Sequence, residues 1–413
     1  MADDFDLLIE DAVLPFETDS RVSIGVRDGT IVEIGPSPLG AASERIDAGG
    51  GLVSPPFADP HLHLDKVYTL ERAGETSLER YQDESDDMGD AMGAIENASQ
   101  VKAEYDETWI RGNARRAIEL GVKHGVLYHR AFADTDTSAE LAGIDPLLDL
   151  REEFAGTVDL QVVAFPQDGV VRDPGAADLV EEAMEAGADV VGAIPWIEYT
   201  EADQAEHVDR MFDIAVEHDS DVAMLTDDAG DPGLRTTERL AVRAIEEGWE
   251  GRVTACHARA MELYPEPYFQ KLVGLLERAE MDVVTDPQTG PLHVPVDDLL
   301  DAGITVSLGQ DDIADAYYPF GRNSMLEVGF LAAHLLWKTT GSDLRDIYRM
   351  ITTSAATSLG IEGYGIEEGT PADLLVFDVE SVAEALHYQP VPTLVIAGGD
   401  VVAETSVETT LSL

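Results

Sequence analysis

Short apolar segments recur eight times between residues 51 and 309, and a stretch of helical periodicity separates most of them. The segments are 51–57, 125–129, 159–165, 189–194, 221–225, 252–257, 281–286 and 304–309. Runs such as ETWIRGNARRAIELGVKHG, AADLVEEAMEAGA, HVDRMFDIAVEHD, LRTTERLAVRAIEEG and ELYPEPYFQKLVGLLERA lie between them. A strand that is apolar on both faces has to be covered on both, and amphipathic crossover helices do this in a parallel sheet. Eight such units predict an α/β fold, a (β/α)8 TIM barrel, in preference to an open doubly wound sheet. The three-glycine turn that opens many nucleotide-binding open sheets is missing. Barrels of this kind carry their reactive groups at the C-terminal ends of the strands, so the residues on which the apolar segments stop are the ones to read.

Two further sets of strands lie outside the alternation. FDLLIEDAVL and RVSIGVRDGTIVEIG, the second turned at Asp28-Gly29, open the chain, and ADLLVFDV and PTLVIAGGDVVAE close it. Their matching patterns predict one small β-sandwich-like domain built from both chain ends. The expected division is 1–54 and 366–413 for that domain and 55–365 for the barrel. The acidic stretch 71–97, containing YQDESDDMGDAMG, reads equally as a loop over the active face and as an inert surface insertion.

The chain of 413 residues accommodates a large barrel and a minor domain, and 44% hydrophobic content argues against disorder. It has no apolar run of membrane-spanning length, and its first residues lack the pattern of a signal peptide, so a soluble cytoplasmic protein without a membrane partner is expected. The single cysteine, Cys256, rules out an internal disulfide and a multi-cysteine zinc site. Acidic residues number 82 against 26 basic ones, five of the latter being lysine, for a net charge of -56. Such a field repels nucleic-acid phosphates and excludes nucleic acid as a partner. The acids are spread along the chain, and the composition resembles that of proteins from salt-loving organisms, where salt screens self-repulsion.

The first barrel segment leads into PPFADPHLHLDK at 55–66. His-x-His places His61 and His63 on one side of an extended chain, since side chains repeat every two residues. Two imidazoles suit one divalent zinc or iron ion better than magnesium or calcium. The eighth segment stops on Asp311 and Asp312, one to bind metal and the other to orient water or accept a substrate N–H. The sixth stops on His257, expected to act on metal-bound water, with Cys256 directed away from it into the core. The third ends in AFPQDG, which makes Gln167 a candidate amide clamp. His129, ending the second, reads equally as a helper and as a core histidine.

These motifs, together with ADVVGAIPWIEYT, RVTACHARAM, GQDDIADAYYPFG and GIEEGTPADLLVFD, resemble the cytosine deaminase branch of the amidohydrolase superfamily along almost the whole chain. The resemblance implies a distorted TIM barrel with one zinc or iron ion that deaminates or hydrolyses C–N bonds in small nitrogen heterocycles. It implies His61, His63 and Asp311 as metal ligands, Gln167 as reader of the substrate amide, and His257 as holder of water. Asp312 would contact the substrate and the transferred proton, and Tyr317 takes an aromatic position at the pocket. Homo-oligomers are common in the family.

One motif departs from the family. Its fifth-strand His-Cys-Asp-Glu pattern corresponds here to Leu225-Thr226-Asp227-Asp228, which removes a metal ligand and shortens the acid/base residue to Asp228. Water, Asp228 or a residue such as His129 is left to fill the missing coordination. Pro195-Trp196 and Gln310 also replace family histidines. The expected activity is cytosine deaminase-like release of ammonia. The alternatives are an amidase or N-dealkylating hydrolase on a related pyrimidine or triazine, and a non-catalytic heterocycle-binding protein.

Overall fold

The computed structural model describes residues 5–16, 21–36, 40–73 and 91–411. The chain opens with β1 (Phe5–Val13), β2 (Arg21–Arg27), β3 (Thr30–Gly35) and β4 (Ala42–Asp47), a sheet in the order β3-β2-β1-β4. Asp28 (φ 49°) and Gly29 (φ 71°) both take the left-handed conformation that a two-residue I′ hairpin turn demands.

The expected strand at 51–57 is in fact two strands. β5 (Val53–Ser54) belongs to the small domain, whereas β6 (Phe57–Leu62) is the first barrel strand. Pro55 and Pro56 lie between them, and neither can donate to a ladder, so the pairing breaks there and the chain changes sheets. The barrel continues through β7 (Val126–Asp134), β8 (Asp159–Phe165), β9 (Val190–Ala193), β10 (Asp221–Thr226), β11 (Val253–His257), β12 (Asp282–Thr285) and β13 (Val306–Leu308). All neighbours pair in parallel and in sequence order.

The ring is drawn together between β13 and β6. The Asp311 N–H donates to the His61 carbonyl (2.8 Å), and the His63 N–H donates to the Asp311 carbonyl (2.9 Å). Helices Glu107–His124, Ala176–Ala186, Glu201–His218, Thr236–Glu247 and Glu266–Ala279 form crossovers where periodicity predicts them.

β14 (Leu374–Val376), β15 (Leu394–Ala397) and β16 (Asp400–Glu404) then complete a second sheet with β5, all pairs antiparallel. The two sheets share one core, with Leu7, Ile9 and Ile24 packed in a cluster with Val53, Leu374 and Ile396. The terminal domain is thus a sandwich of two four-stranded sheets, one wholly N-terminal and one drawn from both ends. Most of the acidic stretch 71–97 lies outside the described residues, which include short helices at Leu70–Ala73 and Ala91–Ala98. Among the described residues no helix is long and apolar enough to cross a membrane.

Candidate metal and substrate site

The ends of the barrel strands converge on one carboxylate oxygen. Asp311 Oδ1 lies 3.3 Å from His61 Nε2, 3.7 Å from His63 Nε2 and 3.8 Å from His257 Nε2. His61 Nε2 and His257 Nε2 are 3.1 Å apart. Ligand bonds of about 2.1 Å in a tetrahedral shell put donor atoms roughly 3.4 Å from one another. The spacing therefore fits a single divalent ion, with His61, His257 and Asp311 as the tightest set.

The backbone holds these groups at a conformational cost. His257 (φ 65°) and Asp311 (φ 64°) are both left-handed, each costing about 1–3 kcal/mol that surrounding packing has to offset. Asp59, fully buried, accepts from the backbone N–H groups of His61 (3.2 Å) and Gln310 (3.0 Å), and so ties the first strand to the last. Burial pushes its carboxyl up to about 7 despite those two bonds. Gly309 lets the two segments meet, since a Cβ there would lie 2.8 Å from His61 Cβ.

The left-handed turn at His257 also corrects one expectation. Arg130 on β7 reaches Thr254 on β11 (3.3 Å) across the barrel interior, which makes Thr254 and, by alternation, Cys256 inward-facing. Cys256 is buried as expected, but it interacts with His61, and His257 breaks the alternation to join the same group.

His257 and His63 have different partners at their second ring nitrogens. His257 Nδ1 faces Asp286 Oδ1 (3.3 Å) and Asp228 Oδ2 (3.6 Å), the carboxylate backing that orients a metal-binding imidazole. His63 Nδ1 instead faces Lys66 Nζ at 3.2 Å. His129 lies within β7, not at its end, and is fully buried away from this cluster. Burial lowers it to about 4, so it is a neutral core histidine and no member of the His61, His257 and Asp311 group.

Of the adjacent acids at the end of β10, Asp227 is structural. It accepts from Thr236 N–H (2.7 Å), Thr237 N–H (3.1 Å) and Tyr264 Oη (2.7 Å), anchoring the start of the next helix. Asp228 lines the pocket and accepts from Arg259 Nη1 (2.7 Å). Burial pushes Asp228 up to about 6 against the pull of Arg259. Asp312 is raised well above the ordinary range by burial first and then by Asp311 and Asp315.

These groups open into a cavity of about 590 Å³, mouth included. Gln167, Asp312 and Tyr317 line it with His63 and His257, and Ile95, Ile194, Trp196 and Leu225 supply an apolar wall. Of the residues singled out in the sequence, His63, Gln167, Asp228, His257, Asp311, Asp312 and Tyr317 line this cavity and His61 lies beside Asp311, whereas His129 lies away from it. Sequence reasoning missed Lys66, Arg259 and Asp286. Asp286 was legible, since it follows a barrel strand directly; Arg259 was not, because its role depends on contacts with Asp228 and Asp286 from other strands.

The sequence pattern of the amidohydrolase family matches residues 84–403. The chain belongs to the amidohydrolase family. It is accordingly an enzyme of C–N bond hydrolysis, and its barrel and histidine–aspartate cluster are those expected of one. It is 33% identical to the N-isopropylammelide isopropyl amidohydrolase of Pseudomonas sp. strain ADP, over 98% of this chain and 99% of that one. The structure of 5-methylcytosine deaminase from Klebsiella pneumoniae, with 5-fluorocytosine bound, superposes with a TM-score of 0.88 at 31% identity, covering 98% of this chain and 99% of that one. The N-isopropylammelide isopropylaminohydrolase of Burkholderia multivorans gives 0.83 at 27% identity, covering 96% and 98%.

Proposed function

We propose that the protein is a metal-dependent hydrolase that removes an exocyclic amino group from a pyrimidine or triazine and releases ammonia. The observation that carries this reading is the convergence of three imidazole nitrogens on Asp311 Oδ1 at the mouth of the barrel. In the proposal His61, His63 and Asp311 bind one zinc or iron ion, and His257 supplies the nitrogen that Leu225 cannot. Such an ion polarises water and makes it a nucleophile near neutral pH.

The chain's own residues do the rest. Asp312 orients the water against an sp² ring carbon, and Gln167 and Tyr317 hold the ring. Asp228, whose carboxyl sits within reach of both protonation states at neutral pH, carries a proton to the departing nitrogen. The apolar wall of Ile95, Ile194, Trp196 and Leu225 favours a second substrate form, an N-alkylated amino group that leaves as the amine. The pattern of charge supports a protein adapted to concentrated salt.

The test combines metal analysis with product release. Protein purified without chelator is expected to hold about one zinc or iron per chain, as one mononuclear cluster requires. It should release ammonia from cytosine-type rings or amine from N-alkylated aminotriazines. A metal-loaded preparation that binds such rings and releases neither product would leave the non-catalytic reading in its place.

A further inference from the structure

Lys66 is a buried cation at the floor of the cavity, and its surroundings dictate how the neighbouring amide faces a ligand. Its Nζ lies 2.7 Å from Asp134 Oδ1, 2.6 Å from the Gln167 side-chain oxygen and 3.2 Å from His63 Nδ1. The rings of Phe165 and Tyr317 flank it, their centroids 5.5 and 5.6 Å from Nζ. Lys66 also occupies the second cluster of metal-type donors, His63, Asp65 and Asp134, with a cation of the chain's own.

An ammonium donates and cannot accept, so the amide atom that meets it has to be oxygen. Gln167 is thereby locked with its NH2 group directed away from Lys66, and no described residue accepts from that nitrogen. Trp196 adds a second donor, since its indole N–H is buried, lines the same cavity and has no hydrogen-bond partner among the described residues. Two donors and no free amide acceptor from these residues select ligand carbonyl oxygens, because an amino group set against either donor would be desolvated without a partner.

We propose that Lys66 is the residue that sets substrate specificity: by holding the Gln167 oxygen it makes the amide a donor and selects heterocycles that present exocyclic carbonyl oxygens, not amino groups, to it. Oxo-substituted azines meet this requirement, and rings whose exocyclic groups are all amino do not. This inference rests on the reading of the cavity as a heterocycle site.

Equilibrium binding tests it without turnover. Cyanuric acid offers carbonyls around its ring and melamine offers amino groups, and calorimetry with the zinc-loaded enzyme measures each. The wild type is expected to favour cyanuric acid by about tenfold or more. Lys66→Met, which frees the amide to rotate, should bring the two affinities within about threefold, and Lys66→Arg, which keeps the donor, should restore the preference. Gln167→Glu, which exposes an acceptor while leaving Lys66 its partner, should reverse the preference and serves if Lys66→Met does not fold. A preference unchanged in Lys66→Met, or unreversed in Gln167→Glu, overturns the proposal while ring binding upholds the heterocycle site. Failure of the wild type to bind either ring, with no ammonia or amine released from any substrate, overturns the reading of the site itself.

Discussion

Leu225 and His257 stand on paired strands, with Leu225 opposite Cys256 and Thr226 opposite His257. His257 is thus one rung nearer the barrel mouth than the leucine whose missing nitrogen it is proposed to supply. If it is a ligand, His257→Ala should reduce bound metal per chain as severely as His61→Ala, read by elemental analysis after gel filtration. If it only orients water, the metal stays and turnover alone is lost. Asp228 belongs to the same scale. Asp228→Asn removes the proposed proton carrier but keeps an acceptor for Arg259, so kcat should fall by about 10²–10⁴-fold. Metal content should hold in that variant, and a kcat within threefold of wild type would assign proton transfer elsewhere.

The loop after β8 shows how an element positions a binding residue. Glu198 is buried and accepts from three successive backbone N–H groups, those of Val170 (2.7 Å), Val171 (2.9 Å) and Arg172 (2.9 Å). His207 Nε2 accepts from Ile194 N–H (3.3 Å), so its Nδ1 carries the proton and donates to Glu198 (2.8 Å). The loop that follows Gln167 is thereby clamped to the end of β9. Burial alone would raise the Glu198 carboxyl, but His207 and the backbone donors outweigh it and hold it below the usual range. A depressed native value contributes stability above the unfolded value of about 4.3, and that contribution is lost as pH falls through the native value. Glu198→Gln should cost roughly 1.5–3 kcal/mol at neutral pH, the range for hydrogen bonds to a charged group. Thermal midpoints of the variant and wild type should converge on acidification, and a constant gap from neutral to acidic pH would refute the clamp. The pairing was not legible in the sequence, because Glu198 sits in the segment PWIEYT and His207 in the helix that follows, and nothing local links either to the backbone at 170–172.

At the scale of the whole molecule, charge and closure dominate. A net charge of -56 on one chain stores self-repulsion that salt relieves, since the screening length falls from about 10 Å at 0.1 M to about 3 Å at 1 M. The thermal midpoint is expected to rise steeply with potassium chloride across that range, measured by calorimetry. A flat response would mean that the paired surface charges already offset the excess.

The barrel itself was readable because strand and helix periods are local properties, and eight apolar segments with amphipathic spacers leave few ways to bury both faces. His61, His63, Asp311 and Asp312 were readable for the same reason, as polar residues on which apolar strands stop. The first strand was misplaced because Pro55-Pro56 sits inside a continuous apolar run, and only the pairing of β5 with β14 reveals that the run serves two sheets. What the tertiary structure alone decided is the company these residues keep. The left-handed turn at His257 brings it within reach of His61, Asp286 and Asp311, and the lock of Gln167 by Lys66 joins residues 101 positions apart. Such contacts arise from closing a ring of strands, and a linear pattern records which residues reach the mouth but not which of them meet there.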